Sequence, residues 1–227
     1  MIETLAKKIG VQFNKIGLLQ QALTHRSYLN EHRDYKLEHN ERLEFLGDAV
    51  LELVVTEYLY NHYSNPEGEL TSWRAALVNG ENLAKIAKKL EVEEFLMMSK
   101  GEAKDTGRAR QYLLANAVEA IIGSIYLDQG YGASKEFILK NIVVSIEEVL
   151  ENKLYMDPKS FFQEKAQEVE KITPSYRLIK EWGPDHDKHF VVGVFLDEEK
   201  VAEGEGESKQ EAQREAAKNG LTAKRWD

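Results

Sequence analysis

The chain has 227 residues, 42% of them hydrophobic, with 4 prolines, 15 glycines and no cysteine. That composition builds a globular core and excludes disulfides, thiolate zinc sites and thiol catalysis. The formal net charge of −9 argues against binding nucleic acid over the whole surface, so any such contact must come from a local patch. The start, Met1-Ile2-Glu3-Thr4, lacks a basic segment leading into an apolar one, and no stretch approaches the ~18 apolar residues of a membrane span. The expectation is a soluble, cytoplasmic protein with no membrane segment.

Helical periodicity organises the first two thirds. Leu18, Leu19, Ala22 and Leu23 predict a helix over 16–28, and Leu43, Leu46, Val50 and Leu53 predict one over 39–60. A turn at 64–69 precedes helices over 70–78 and 82–90, joined by Asn79-Gly80. A polar loop follows over 99–110. A long buried helix is expected over 111–127, closed by Asp128-Gln129-Gly130-Tyr131-Gly132, and a last one over 134–150.

The character changes at Asp157-Pro158, a helix N-cap followed by proline at the first helical position. Phe162, Ala166 and Val169 mark the face of that helix. Beyond Pro174 the period drops to two, giving strand candidates over 176–180, 190–195 and 201–206. Ser208 with Glu211 forms a capping box opening a final helix to about residue 221. The fold class is therefore an all-α domain over 1–152, a linker, and a small α+β domain over 157–227 in the order α-β-β-β-α.

Chemistry concentrates on two helices. Glu41, Glu44 and Asp48 fall within about 60° of one another on the second helix, at ~100° per residue. A solvated acidic face is the plain alternative. Against it stand Gly47, a poor helix residue that suggests close backbone approach, and Phe45, a large apolar group at the edge of the acidic arc. Asn116 and Glu119 share one face of the otherwise apolar helix over 111–127, where a carboxylate is costly unless paired or metal-bound. Packing the two helices together would make an oxygen-only site suited to Mg²⁺ or Mn²⁺, and to phosphoester chemistry. A di-iron bundle is disfavoured because no Glu-x-x-His occurs. His25, Ser27 and Tyr28 lack the strained turn of a hydrolase triad and are expected to cap and pack a helix. His32, His39 and His62 read as surface or packing residues.

The stretch Asn40-Glu41-Arg42-Leu43-Glu44-Phe45-Leu46-Gly47-Asp48-Ala49-Val50-Leu51 resembles the signature of ribonuclease III. Ala22-Leu23-Thr24-His25-Arg26-Ser27-Tyr28, the segment from Leu77-Val78 through Leu83-Ala84, and Glu119-Ala120-Ile121-Ile122-Gly123 with Tyr126-Leu127-Asp128 carry the resemblance along the chain. The tail resembles a double-stranded-RNA-binding domain. What the resemblance implies is a Mg²⁺-dependent endonuclease for double-stranded RNA, with Mn²⁺ able to substitute. It would work as a homodimer with one site per subunit, leaving 5′ phosphates, 3′ hydroxyls and short 3′ overhangs. Its RNAs would include ribosomal precursors and messages.

By motif position the resemblance makes Glu44, Asp48, Asn116 and Glu119 the metal set, with Glu41 in the same catalytic cluster. It makes Phe45 the residue that enters a pocket of the partner subunit, and Glu67 one that faces the substrate across the dimer. The family commonly has Asp at the position of Asn116. The alternative that follows is a duplex-RNA-binding protein whose catalysis is lost or weakened there, and a third reading is a helical metalloenzyme for a small phosphate compound.

In the tail, RNA contacts are expected from Gln163 and Glu164 to minor-groove 2′-hydroxyls, from His186 in the loop after the first strand, and from Lys209 at a helix N-terminus. Gln210 and Gln213 thin the lysine cluster usual there, with Arg214 as a substitute, so this domain alone is expected to bind weakly. Lys100, Arg108 and Arg110 are the candidates for a basic patch in the first domain.

Overall fold

A helix absent from the sequence expectations comes first. In the computed structural model, which describes residues 2–104, 106–184 and 188–226, α1 spans Ile2–Ile9 and buries Leu5, Ala6 and Ile9. The chain divides into two compact units, Met1–Tyr155 and Met156–Asp227, the break falling inside the expected linker.

The helix expected over 16–28 is two helices, α2 (Ile16–Ala22) and α3 (Arg26–Glu31). The break is held by backbone pairing. Met97 N–H donates to Leu23 O at 2.9 Å and His25 N–H to Met97 O at 2.9 Å, around the parallel bridge Thr24–Met97. Asn40, 4% exposed, ties the next helix to the same place: its Nδ2 donates to Ala22 O at 3.2 Å and its N–H to Thr24 O at 2.9 Å. His25 caps α3, as expected, its ring accepting from Ser27 N–H.

α4 (Glu41–His62) buries Leu43, Gly47, Val50, Leu51, Val54, Val55 and Leu59. Leu53, expected on that face, is 57% exposed instead. The inward stripe runs through Leu51 and Val55, one residue round the helix from the line drawn through 43, 46, 50 and 53. α5 (Glu67–Val78) begins at Glu67, three residues before the expected start, and α6 (Gly80–Lys89) follows with Asn79 as its N-cap, accepting from Asn82 N–H at 2.9 Å.

α7 (Gly107–Gln129) is the central helix, almost continuously buried from Leu114 to Ile125. It starts earlier than expected, so Arg108 and Arg110 lie in its first turn rather than in a loop. Arg110 pairs with Glu93 at 2.8 Å, which commits it to structure rather than to a basic patch. Gly130, with φ of +80°, separates α7 from α8 (Tyr131–Asn141). The helix expected over 134–150 is interrupted by a short 3₁₀ turn, Val143–Ser145, before α9 (Ile146–Glu151).

In the second unit, Asp157 caps α10 (Pro158–Lys165), accepting from Ser160 N–H at 3.1 Å. A π-helical turn, Ala166–Glu170, then changes the phase of the helix. Phe162 and Ala166 face the core as expected, but Val169 is turned outward and is 58% exposed. Three antiparallel strands follow, β1 (Ser175–Trp182), β2 (His189–Leu196) and β3 (Glu199–Gly206), in the order β1-β2-β3. α11 (Lys209–Lys224) covers them, and Gly204 lets its backbone approach β3 closely. Ser208 Oγ accepts from Glu211 N–H at 3.2 Å, but Glu211 reaches back to Glu207 N–H rather than to Ser208.

Candidate functional site

Two glycines fix the geometry of the acidic site. A Cβ on Gly47 of α4 would lie 1.7 Å from the Glu119 carbonyl oxygen, and one on Gly123 of α7 would lie 2.1 Å from the Leu43 carbonyl oxygen. The two helices therefore cross backbone against backbone. That contact explains Gly47, whose helix cost is about 1 kcal/mol against Ala. It also brings Glu44 and Asp48 of α4 alongside Asn116 and Glu119 of α7.

The electrostatics follow from the crossing. Glu119 is pushed up to about 7 by burial first, then by the charges of Asp48 and Glu44. Glu44 is raised by burial and by Glu41 and Asp48, while a hydrogen bond with the Asn116 side chain pulls it back down. Glu41 stands at the exposed end of the row, 3.5 Å from Arg26 and 3.8 Å from His39. Glu41, Glu44 and Asn116 line a cavity of about 190 Å³ with His25, Asn40 and an apolar floor that includes Met98. All donors of the row are oxygens or an amide. Among the described residues no three acidic or histidine side chains close on a single point. Mg²⁺ fits such a site, because it keeps several waters and takes only one or two carboxylates.

Two expected residues stand apart from this cluster. Phe45 is 81% exposed at the edge of the row. Glu67 opens α5 beside a second recess of about 890 Å³, lined by Tyr60, Tyr63, Leu70 and Arg74 among others. Tyr60 lies ~24 Å along α4 from Glu44 at 1.5 Å per residue, so within one chain Glu67 does not join the acidic row. Tyr60, like Phe45, is exposed, at 78%.

In the second unit Gln163 and Glu164 are exposed on α10, and Lys209 is exposed in the first turn of α11 with its Nζ 5.7 Å from the Phe190 ring centre. His186 lies outside the described residues. The starts of α10 and α11 are stitched together by Lys159, which donates to Gln213 Oε1 at 2.6 Å, and by Arg214, 3.7 Å from Asp157. Lys159 was not legible as a site residue, because its link to Gln213 joins positions 54 apart. Arg214 is paired within the domain, which weakens it as a substitute lysine. The loop after β1 is flanked by a stack that sequence reading also missed: Trp182 lies on His189 at 5.4 Å, with Lys180 over the indole.

Comparison with known proteins accords with this arrangement. Residues 15–146 match the Ribonuclease-III-like family, and residues 158–223 match the double-stranded RNA binding motif. Ribonuclease 3 of Enterococcus faecalis is 45% identical over 96% of this chain and 94% of its own length. Ribonuclease 3 of Oceanobacillus iheyensis is 44% identical over 97% and 96%. The nuclease domain of ribonuclease III from Campylobacter jejuni, a structure described for flexibility in its dimer-forming region, superposes with a TM-score of 0.57 at 43% identity. It covers 63% of this chain and 96% of that one. With such identity over nearly the full length of its relatives, and both domain matches in order, the chain belongs to the ribonuclease III family.

Proposed function

We propose that this double-strand-specific endoribonuclease works as a Mg²⁺-dependent homodimer, with Glu44, Asp48, Asn116 and Glu119 as the metal set of each subunit. The observation that carries the reading is the glycine-to-glycine crossing, which brings Glu44 and Glu119 into a half-buried acidic row where burial first, and neighbouring carboxylates second, make both resist ionisation. A divalent cation removes that penalty, which is the behaviour of a site built for one. Bound there, Mg²⁺ or Mn²⁺ would neutralise charge at the phosphate and lower the pKa of water. Asn116 orients Glu44 through their hydrogen bond, and Glu41, held by Arg26 and His39, closes the row. Attack of water in line on phosphorus, with departure of the 3′ oxygen, leaves 5′ phosphates and 3′ hydroxyls.

The dimer has its own support. Phe45 and Tyr60 are large, exposed and on neighbouring faces of α4, with Leu53 between them. A two-fold pairing of such a row against itself sets the start of one helix against the end of the other. It would lay Phe45 in the partner's recess beside Tyr60 and carry the partner's Glu67 toward the acidic row. Duplex RNA would be held by Gln163, Glu164, Lys209 and the loop that contains His186. Substrates would include ribosomal precursors and messages. Among the described residues no helix is long and apolar enough to cross a membrane, and the site of action proposed is the cytoplasm.

The test is cleavage of a long RNA duplex and its matching single strand, with Mg²⁺ and with chelator, by the protein and by Glu119→Ala. Cleavage of the duplex alone, needing both metal and Glu119, is the expected result. Binding without cutting, rescued by Asn116→Asp, would instead make this an RNA-binding relative with a weakened site.

A further inference from the structure

The hydrogen-bond donors that line the cavity beside the acidic row can be followed one by one. Asn40 Nδ2 commits one of its two hydrogens to the Ala22 carbonyl at 3.2 Å, and the Asn116 side chain is bonded to Glu44. Glu41 and Glu44 offer only acceptors when ionised. His25 adds an imidazole to the same lining.

The state of its ring is fixed by its neighbours. The Ser27 backbone N–H donates to His25 Nδ1 at 3.3 Å. Ser27 Oγ lies 2.8 Å from the same nitrogen and itself accepts from Ser99 N–H at 3.0 Å, so the hydroxyl hydrogen is free for Nδ1. A nitrogen that accepts carries no proton, and the neutral imidazole therefore bears its hydrogen on Nε2. That N–H has no hydrogen-bond partner among the described residues. The ring is thus oriented by a backbone amide and a serine, with its one donor uncommitted on a residue that lines the cavity.

We propose that His25 contacts the substrate, its Nε2–H donating to a non-bridging phosphate oxygen of the RNA strand that lies over the acidic row. A row of carboxylates repels a phosphate, and a fixed neutral donor on the lining of the same cavity supplies attraction there without pairing with the carboxylates as a lysine would. With hydrogen on Nε2 and Nδ1 occupied, His25 cannot ligate a metal, so its role is recognition of an anionic acceptor. This inference rests on the reading of the site as a ribonuclease, and its test separates the two.

His25→Asn keeps an oxygen where Nδ1 accepts, and Asn caps helices well, but it places nothing at Nε2. His25→Gln extends an amide N–H toward that position. The Asn variant is expected to melt like wild type and to cut about ten- to a hundred-fold more slowly at limiting RNA, the loss of one hydrogen bond to a charged group, part of it seen as weaker duplex binding in Ca²⁺. The Gln variant recovers part of that rate. In ¹⁵N-histidine-labelled wild type, the His25 resonance reports the Nε2–H tautomer and shifts when RNA duplex is added in Ca²⁺. A wild-type rate in the Asn variant, or a His25 signal unmoved by RNA, overturns the proposal. The spectroscopic arm needs binding and not cutting, so a wild-type protein that fails to cut sinks the enzyme reading while His25 contact is still decided.

Discussion

Gly47 and Gly123 face each other where α4 crosses α7, and between them the two backbones leave no room for a methyl group. By helix propensity alone Gly47→Ala would stabilise α4 by about 1 kcal/mol. Packing reverses the sign, because the methyl meets a carbonyl that cannot swing away, and overpacking of this kind costs about 3 kcal/mol or more. A fall in melting temperature with loss of metal-dependent cleavage is expected. An unchanged or raised melting temperature would show that the helices part freely.

The raised Glu119 carboxyl gives stability a pH dependence with a definite sign. Its folded pKa of about 7 lies above the 4.5 of an ordinary glutamate, so between those values the folded state holds more protons than the unfolded one. Stability of the metal-free protein therefore falls as pH rises through that window. Thermal melts in chelator from pH 5 to 8 should show the decline, and Glu119→Gln should flatten it. A divalent cation should raise the melting temperature more at pH 8 than at pH 5.

Asn116→Asp exchanges a hydrogen-bond donor to Glu44 for a fourth carboxylate in the metal set. The metal-free protein should lose stability, by about 1–3 kcal/mol for the broken pairing. Mg²⁺ should bind more tightly, as titration calorimetry would record. Weaker Mg²⁺ binding would mean that the Asn116 amide serves the ion better than a carboxylate does.

Phe45 supports no fold of its own subunit, being 81% exposed. Phe45→Glu should leave the helical content unchanged while halving the mass seen by sedimentation at micromolar concentration. Cleavage should fall with it, since Glu67 would no longer reach a second site. A monomeric wild type would remove the dimer from the mechanism.

Lys209→Ala should weaken binding to all duplex RNAs alike and lower the salt slope by about 1, as loss of one phosphate contact does. Lys159→Ala should do less, because Lys159 is already engaged with Gln213. Filter binding between 50 and 200 mM salt, on the order of the usual range, measures both.

Much of this was legible in the sequence, and what was not has physical causes. The helical period announced α4 and α7, and the change to period two announced the sheet. The acidic row was visible because i, i+3 and i+7 share a helix face. Gly47 signalled close approach, but its partner Gly123 could not be named from spacing, since a crossing point depends on tertiary packing. The break between α2 and α3 was hidden for the same reason: it is bought by pairing with Met97, 73 residues beyond Thr24. Val169 was misplaced because a π-helical turn adds a residue to the period, which no apolar pattern reveals. The tautomer of His25 depends on Ser99, again far along the chain.

The same pairing at Thr24 and Met97 has a kinetic consequence. The amides of His25, Asn40 and Met97 each donate across that junction, to Met97, Thr24 and Leu23 respectively. None can be released without loosening the others, so the wall behind the acidic row should open as one cooperative unit. In native-state hydrogen exchange the three amides would then share a single opening free energy and respond together to any ligand that closes over the cavity.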